Sequence, residues 1–185
     1  MASLVLNGST SGSITISSPA VSGSNTLSLP ANTGTVLTTA STFAGTGPAF
    51  SAYQSSSQTL SGSTDTKITF TTEEFDTNNN FASSTFTATV AGHYLFAGAM
   101  QINALAGNTF LTGHSTIYKN GSRFAVGQYS GVSSTNIVSP VSCIISLNAN
   151  DTVEFYATTF ATGAGCFIIN AIQTTYFTGC LIRSA

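Results

Sequence analysis

The chain has 185 residues, 42% of them hydrophobic, which is room for one compact domain with a sizeable core plus an appendage. Only 5% are charged, and the basic residues are four (Lys67, Lys119, Arg123 and Arg183), so the electrostatic footprint required for a nucleic-acid backbone or an anionic membrane is missing. A net charge of −2 with positive mean hydropathy excludes disorder for the bulk of the chain, and no apolar run approaches the roughly 20 residues of a membrane helix, which argues against membrane insertion.

The opening stretch, MASLVLNGSTSG, has no basic segment and too short an apolar run for a secretory signal, so synthesis for use inside a cytoplasm, or for export only by cell lysis, is expected. From there to Thr39 no charge occurs, and short alternations (SITIS, NTLSLP, GTVLT) are separated by Gly, Pro and Asn. Each is too short to make a sheet alone, and Pro19 and Pro30 sit where they end or edge a strand. Residues 1–47 read as an extended N-terminal β-arm or a small intertwined β module, with a hinge over Ser41 to Pro48, and residues 48–185 as the main domain.

From Ala49 the apolar period is two, broken by Gly, Asn and Ser clusters, which indicates an all-β domain. TKITFT (Thr66 to Thr71) and FTATV (Phe86 to Val90) read as half-buried strands with Ile68 and Phe70, then Phe86, Ala88 and Val90, facing inward. HYLFAGAMQI differs: Tyr94, Phe96, Met100 and Ile102 line one face, and Leu95, Ala97 and Ala99 the other. A strand apolar on both faces requires cover on both, from another subunit or a flanking segment. Asn120-Gly121 marks a two-residue hairpin, and LNANDTV joins two strands ahead of Phe155. VSCIISL (Val141 to Leu147), TVEFYATTF (Thr152 to Phe160), CFIINAI (Cys166 to Ile172) and TYFTGCLI (Thr175 to Ile182) complete a sandwich or jelly roll. Cys143, Cys166 and Cys180 cannot all pair and lack metal or redox spacing, so they read as small buried hydrophobes.

The order of motifs from Ala49 resembles the globular head of the C1q and tumour-necrosis-factor-like superfamily. Phe50 to Tyr53, Ile68 to Phe70, Phe75-Asp76 and Phe81 precede Gly92-His93-Tyr94-Leu95-Phe96, which fits the family's G-x-Y-x-F. Lys119-Asn120-Gly121 follows, then Leu147, Asp151 and Val153 in L-x-x-x-D-x-V, with Asn150 where the family has Gly, and finally Phe177, Gly179 and Leu181 in F-x-G-x-L. The resemblance implies a ten-stranded jelly-roll sandwich and a homotrimer, with Tyr94, Phe96, Met100, Ile102, Phe155, Tyr176 and Phe177 in its interface or core. The N-terminal segment, in turn, is similar to a short module of fibre and other virion proteins of tailed bacteriophages: GSTSGS, T-h, P-A, N-T-L-x-L-P and T-G-T-h (h apolar) all occur here in order. No collagen-like Gly-X-Y repeat is present.

Catalytic and cofactor constellations are not found. His93 and His114 are the two histidines, no G-x-S-x-G elbow exists, and Asp65, Glu73, Glu74 and Asp76 around one loop read as surface solvation rather than a glycan-hydrolysing pair. DTNNN from Asp76 starts like a calcium loop, but Phe81 and Thr87 occupy the Gly and Glu positions, which excludes an EF-hand. Some relatives of the head bind calcium through acidic loops, so a calcium site, if present, belongs near Asp76; otherwise no metal or cofactor is expected. The expected function is a non-enzymatic structural protein of a phage virion, a trimeric capsid decoration protein or short head fibre. Its anchoring side chains are Leu4, Leu6, Ile14, Ile16, Val21, Leu27, Leu29, Val36 and Leu37, and its partners are copies of itself and capsid or tail proteins. An arm of about 47 residues spans at most roughly 160 Å, short for a receptor-reaching shaft. The alternative is a tail-fibre tip that recognises a host glycan or surface protein through loops Ala104 to His114 or Tyr129 to Asn136.

Overall fold

The computed structural model describes residues 3–7, 9–17, 21, 23–24, 47–60, 63–104, 109–129, 136–162, 166–168 and 174–185. The chain divides into two compact units, Met1–Ala40 and Ser41–Ala185.

In the first unit β1 (Ser3–Asn7) and β2 (Ser13–Ser17) form an antiparallel hairpin. Its register sets Leu4 opposite Ile16 and Leu6 opposite Ile14. Because side chains alternate along a strand, all four lie on one face, and each is 51% to 68% exposed. Gly12 closes the turn at φ +78°, a conformation that glycine adopts without steric cost. The alternations NTLSLP and GTVLT, with Leu27, Leu29, Val36 and Leu37, lie outside the described residues, and Val21 is exposed.

The second unit is a two-sheet jelly roll built from β3 (Ala49–Tyr53), β4 (Gln58–Leu60), β5 (Thr66–Lys67), β6 (Thr72–Asp76), β7 (Phe81–Ala82), β8 (Thr85–Thr87), β9 (Gly92–Ala104), β10 (Thr109–Lys119), β11 (Ser122–Val126), β12 (Asn136–Leu147), β13 (Thr152–Thr162), β14 (Cys166–Ile168) and β15 (Tyr176–Ser184). One sheet runs β6-β3-β15-β9-β12, with β14 also beside β9 and β4 beside β14; the other runs β7-β8-β13-β10-β11, with β5 beside β13. Among the described residues this unit therefore has thirteen strands where ten were expected. The surplus is β4, β5 and β14, pieces of two or three residues that extend the two five-strand sheets.

Two sequence expectations need correction. The strand expected over Thr66 to Thr71 ends at Lys67: Ile68 N–H still donates to Phe155 O on β13 at 2.9 Å, but the donors after it bond to side chains, Thr69 N–H to Gln58 Oε1 at 2.9 Å and Phe70 N–H to Ser84 Oγ at 2.9 Å. The strand expected over Phe86 to Val90 ends at Thr87. Ala88 turns to exchange hydrogen bonds with Asn150 and Asp151, which leaves Val90 outward while Ile68, Phe70, Phe86 and Ala88 stay buried.

The core is aromatic. Phe50 stacks on Phe81 at 4.4 Å between ring centres, and Phe177 meets Phe50 at 5.2 Å, Phe155 at 5.4 Å and Phe96 at 5.8 Å. Tyr94 is fully buried with them, its hydroxyl donating to Val90 O at 2.6 Å. Gly179 is required by this packing, since a Cβ there would lie 2.5 Å from the Phe96 ring. The Asn120-Gly121 hairpin joins β10 to β11 with both residues at positive φ, as a tight two-residue turn demands. Because Phe177 bridges the rings of both sheets, Phe177→Ala is expected to cost about 3–5 kcal/mol, measured by chemical denaturation with an unchanged dependence on denaturant concentration.

Candidate functional site

The long strand β9 has its two faces in different environments. Tyr94, Phe96, Met100 and Ile102 point into the sandwich and are completely buried, while His93, Leu95, Ala97, Ala99 and Gln101 point away from it. Strand register builds rows across this outer face: Pro140, Ala99, Tyr176 and Tyr53; then Ser142, Ala97, Thr178 and Ser51; then Ile144, Leu95, Cys180 and Ala49. Ile144 is 60% and Leu95 40% exposed, with Val138 and Ile182 also open. The middle rows carry small side chains, and a shallow depression of about 310 Å³ lies between Pro140 and Tyr176 over Ala97 and Gly98. No ionisable carboxylate, lysine or arginine lies in these rows: Glu73 and Glu74 sit on rim strand β6, and Arg183 at the end of β15.

The other sheet's outer face carries ions, each of them paired. Arg123 grips Asp65 with Nε and Nη2, each at 2.5 Å, while Tyr118 and Thr158 donate hydroxyl hydrogen bonds to the same carboxylate. Lys67 bridges Glu154 at 2.7 Å and donates to Thr85, and the Tyr118 and Tyr156 rings stack at 4.0 Å. Burial acts to raise the Asp65 pKa, but hydrogen bonds from Arg123, Thr158 and Tyr118, with the guanidinium charge, overcome it and hold the carboxyl at about 2. Asp151 accepts from Asn120 Nδ2 at 2.8 Å and from Asn148 N–H at 2.9 Å and pairs with Lys119 at 3.0 Å. It thereby ties the β12–β13 turn to the β10–β11 turn, a structural task for the aspartate of the L-x-x-x-D-x-V motif. His114, on β10, is buried beneath the Tyr129 ring at 4.1 Å, and burial, followed by the Arg123 charge, lowers its pKa although Asp65 opposes them.

Of the side chains expected at an interface or in the core, Tyr94, Phe96, Met100, Ile102, Phe155 and Phe177 lie wholly inside the chain's own sandwich, and Tyr176 alone reaches the outer face. The outward partners that sequence reasoning did not name are Val138, Pro140 and Ile144 on β12 and Ile182 on β15; for the first three, alternation with buried neighbours along β12 was the available signal. The structure also corrects two expectations. Asp65 is not grouped with Glu73, Glu74 and Asp76, since it lies on the opposite sheet with Arg123. Cys180 is exposed on the outer face and Cys143 only half-buried, where buried thiols were expected; the Cys166 side chain lies outside the described residues. Asp76 uses its oxygens to cap its own turn, accepting from Phe81 N–H at 2.7 Å and Asn78 N–H at 3.3 Å, and among the described residues no three metal-ligand side chains gather. The loops named as a receptor site are described only at Ala104, 109–114, Tyr129 and Asn136.

No family model and no curated protein sequence matches the chain. Solved structures do match in fold. The globular domain of zebrafish complement 1qA is 19% identical, covering 75% of this chain and 99% of that one with a TM-score of 0.53. Murine APRIL at pH 5.0 is 8% identical over 74% of this chain and 99% of its own, with a TM-score of 0.57. The Eiger TNF of S. frugiperda is 9% identical over 75% and 94%, with a TM-score of 0.56. The second unit is thus a jelly roll of the C1q and TNF type.

Two of the perturbed groups, His114 and Asp65, make stability fall in acid in separate windows. His114 is held neutral in the fold, so its contribution is complete above the unfolded value of 6.5 and declines as pH drops below it. Asp65 is held ionised, so its contribution is complete above 3.8 and is lost as pH falls towards about 2. Thermal unfolding across this range is expected to show both declines, with Asp65→Asn reducing only the lower one, to which Asp151 and Glu154, also held ionised by their partners, continue to contribute.

Proposed function

We propose that the chain is a structural protein of a tailed-bacteriophage particle, a homotrimeric capsid decoration protein or short head fibre whose N-terminal arm grips the virion and whose jelly-roll head projects outward. The observation that carries this reading is the β1–β2 hairpin. A two-stranded ribbon is marginal in water by itself, yet this one presents Leu4, Leu6, Ile14 and Ile16 on a single face without a charge on either strand. Such a surface can be buried against a protein shell by backbone pairing and apolar contact without desolvating any ion. The likeness of Gly8 to Thr39 to virion-protein modules supports the same partner.

The distribution of charge supports the assembly. All three ion pairs found among the described residues belong to the second sheet, while the rows through Leu95, Ala97 and Ile144 on the first sheet hold none. The uncharged face is the one that self-association covers, and the ion-paired face is the one left to solvent. Trimerisation then works through avidity: three arms joined by one head bind equivalent shell sites at high effective concentration, so contacts weak one by one become durable.

Two experiments separate the parts of this reading. Light scattering is expected to give three times the 18.9 kDa chain mass, and Leu95→Asp is expected to yield monomers with unaltered β-sheet circular dichroism; a monomeric parent would sink the trimer. Leu4→Asp combined with Ile16→Asp is expected to leave the trimer intact but to remove it from purified virions. Full incorporation of that variant contradicts the anchor, and gold label confined to the tail tip in micrographs contradicts capsid decoration.

A further inference from the structure

Phe75, on rim strand β6 of the first sheet, is an aromatic side chain left 49% exposed. Strand register sets it opposite Ser51, so it continues the outward row of Ser142, Ala97, Thr178 and Ser51. Ala97 and Ser142, at the far end of that row, line the depression of about 310 Å³ together with Gly98, Pro140, Val141 and Tyr176. That volume is at the small end of ligand pockets, fit for one side chain rather than a metabolite, and none of the lining residues is ionic. Phe75 cannot fill it within its own chain, because three strand spacings, about 14 Å, separate β6 from β9.

The charges left over select a second copy as the occupant. All four basic and six acidic side chains lie among the described residues. Three internal pairs use Asp65, Arg123, Lys67, Glu154, Lys119 and Asp151, which leaves Glu73, Glu74 and Asp76 on β6 and Arg183 at the end of β15. The rim is therefore acidic, and the one unmatched cation stands on the neighbouring surface of the sheet. Two rims brought together repel, whereas a rim laid on the face of another copy meets the opposite sign. A closed ring of three is built from such heterologous contacts, in which two different patches meet at every interface. With the rotation axis along the strands, each row keeps its height from copy to copy, so Phe75 arrives level with the depression. Glu74 accepts from Ser51 Oγ at 2.7 Å, which keeps its charge at the rim beside the ring.

We propose that the Phe75 ring of each copy docks in the depression over Ala97 and Gly98 of the next, with the acidic rim of one copy on the Arg183 side of its neighbour. The contact rests on the homotrimer proposed above and gives it a direction: β6 of one copy lies on the β9–β12 surface of the following one. It does not depend on the virion reading, since the head alone carries both halves of the contact.

Analytical ultracentrifugation of the full chain over a dilution series tests the contact. The parent is expected at three chain masses. Phe75→Ala and, separately, Ala97→Leu, which fills the depression, are each expected to come apart at protein concentrations at least about tenfold higher, and the two changes combined to recover part of that loss. In a Cys180→Ser background, Phe75→Cys combined with Ser142→Cys is expected to form disulfides between chains on mild oxidation, seen at two and three chain masses in denaturing gels, while either new cysteine alone stays at one. A trimer whose dissociation is unchanged in Phe75→Ala, or a double-cysteine variant that stays at one chain mass, overturns the contact and leaves the trimer standing. A parent of one or two chain masses overturns both.

Discussion

The structure depends on β9, a strand that is apolar on both faces. One face is the spine of the aromatic core, where Tyr94, Phe96, Met100 and Ile102 are sealed between the sheets. The other is a pavement of Leu95, Ala97 and Ala99, continued sideways by Pro140 and Ile144 on β12 and by Tyr176 and Cys180 on β15. An antiparallel sheet normally turns polar side chains to water on its free side. A contiguous uncharged surface there is the constraint from which the proposed association with further copies is argued, and the small residues of the middle rows would allow close approach.

Scarcity of charge makes the placement of each ion informative. Asp65, Lys67, Lys119, Arg123, Asp151 and Glu154 are all spent on the second sheet and its turns, where they stitch the segment before β5, strand β11 and two hairpins together. These pairs are partly exposed, so each adds modestly to stability. Their larger effect is geometric: they hold a polar face on one side of the sandwich while the rows of the opposite side carry no ion. The first unit follows the same economy, since its hairpin exposes aliphatic side chains and no ion.

Much of the head was legible in the sequence because its turns and alternations are local signals. Asn120-Gly121 marked the hairpin, Asn150 accepts the positive φ for which the resembling family uses glycine, and Tyr94 to Ile102 announced a strand needing cover on both faces. What remained hidden depends on distant chain segments. Nothing near Thr69 or Phe70 signals that Gln58 and Ser84 will take their backbone hydrogens and cut the strand short. The partnership of Asp65 with Arg123, 58 residues away, is likewise invisible to spacing, and proximity along the chain grouped Asp65 with the wrong acids. The outer row on β12 was readable in principle, but VSCIISL draws the eye to its inward Val141, Ile145 and Leu147 and away from exposed Ile144.

Cys180 supplies the most direct test, because its thiol stands in the same outward row as Leu95 and Ile144. Cys143 is a poor competitor, since burial pushes its pKa up to about 11. Peptide mapping after brief iodoacetamide treatment reads each thiol separately. If copies of the head cover this face, Cys180 is protected in the native protein and reacts once Leu95→Asp separates the subunits. Native-state alkylation of Cys180 as fast as in the Leu95→Asp variant would show that the face is bare and contradict the assembly.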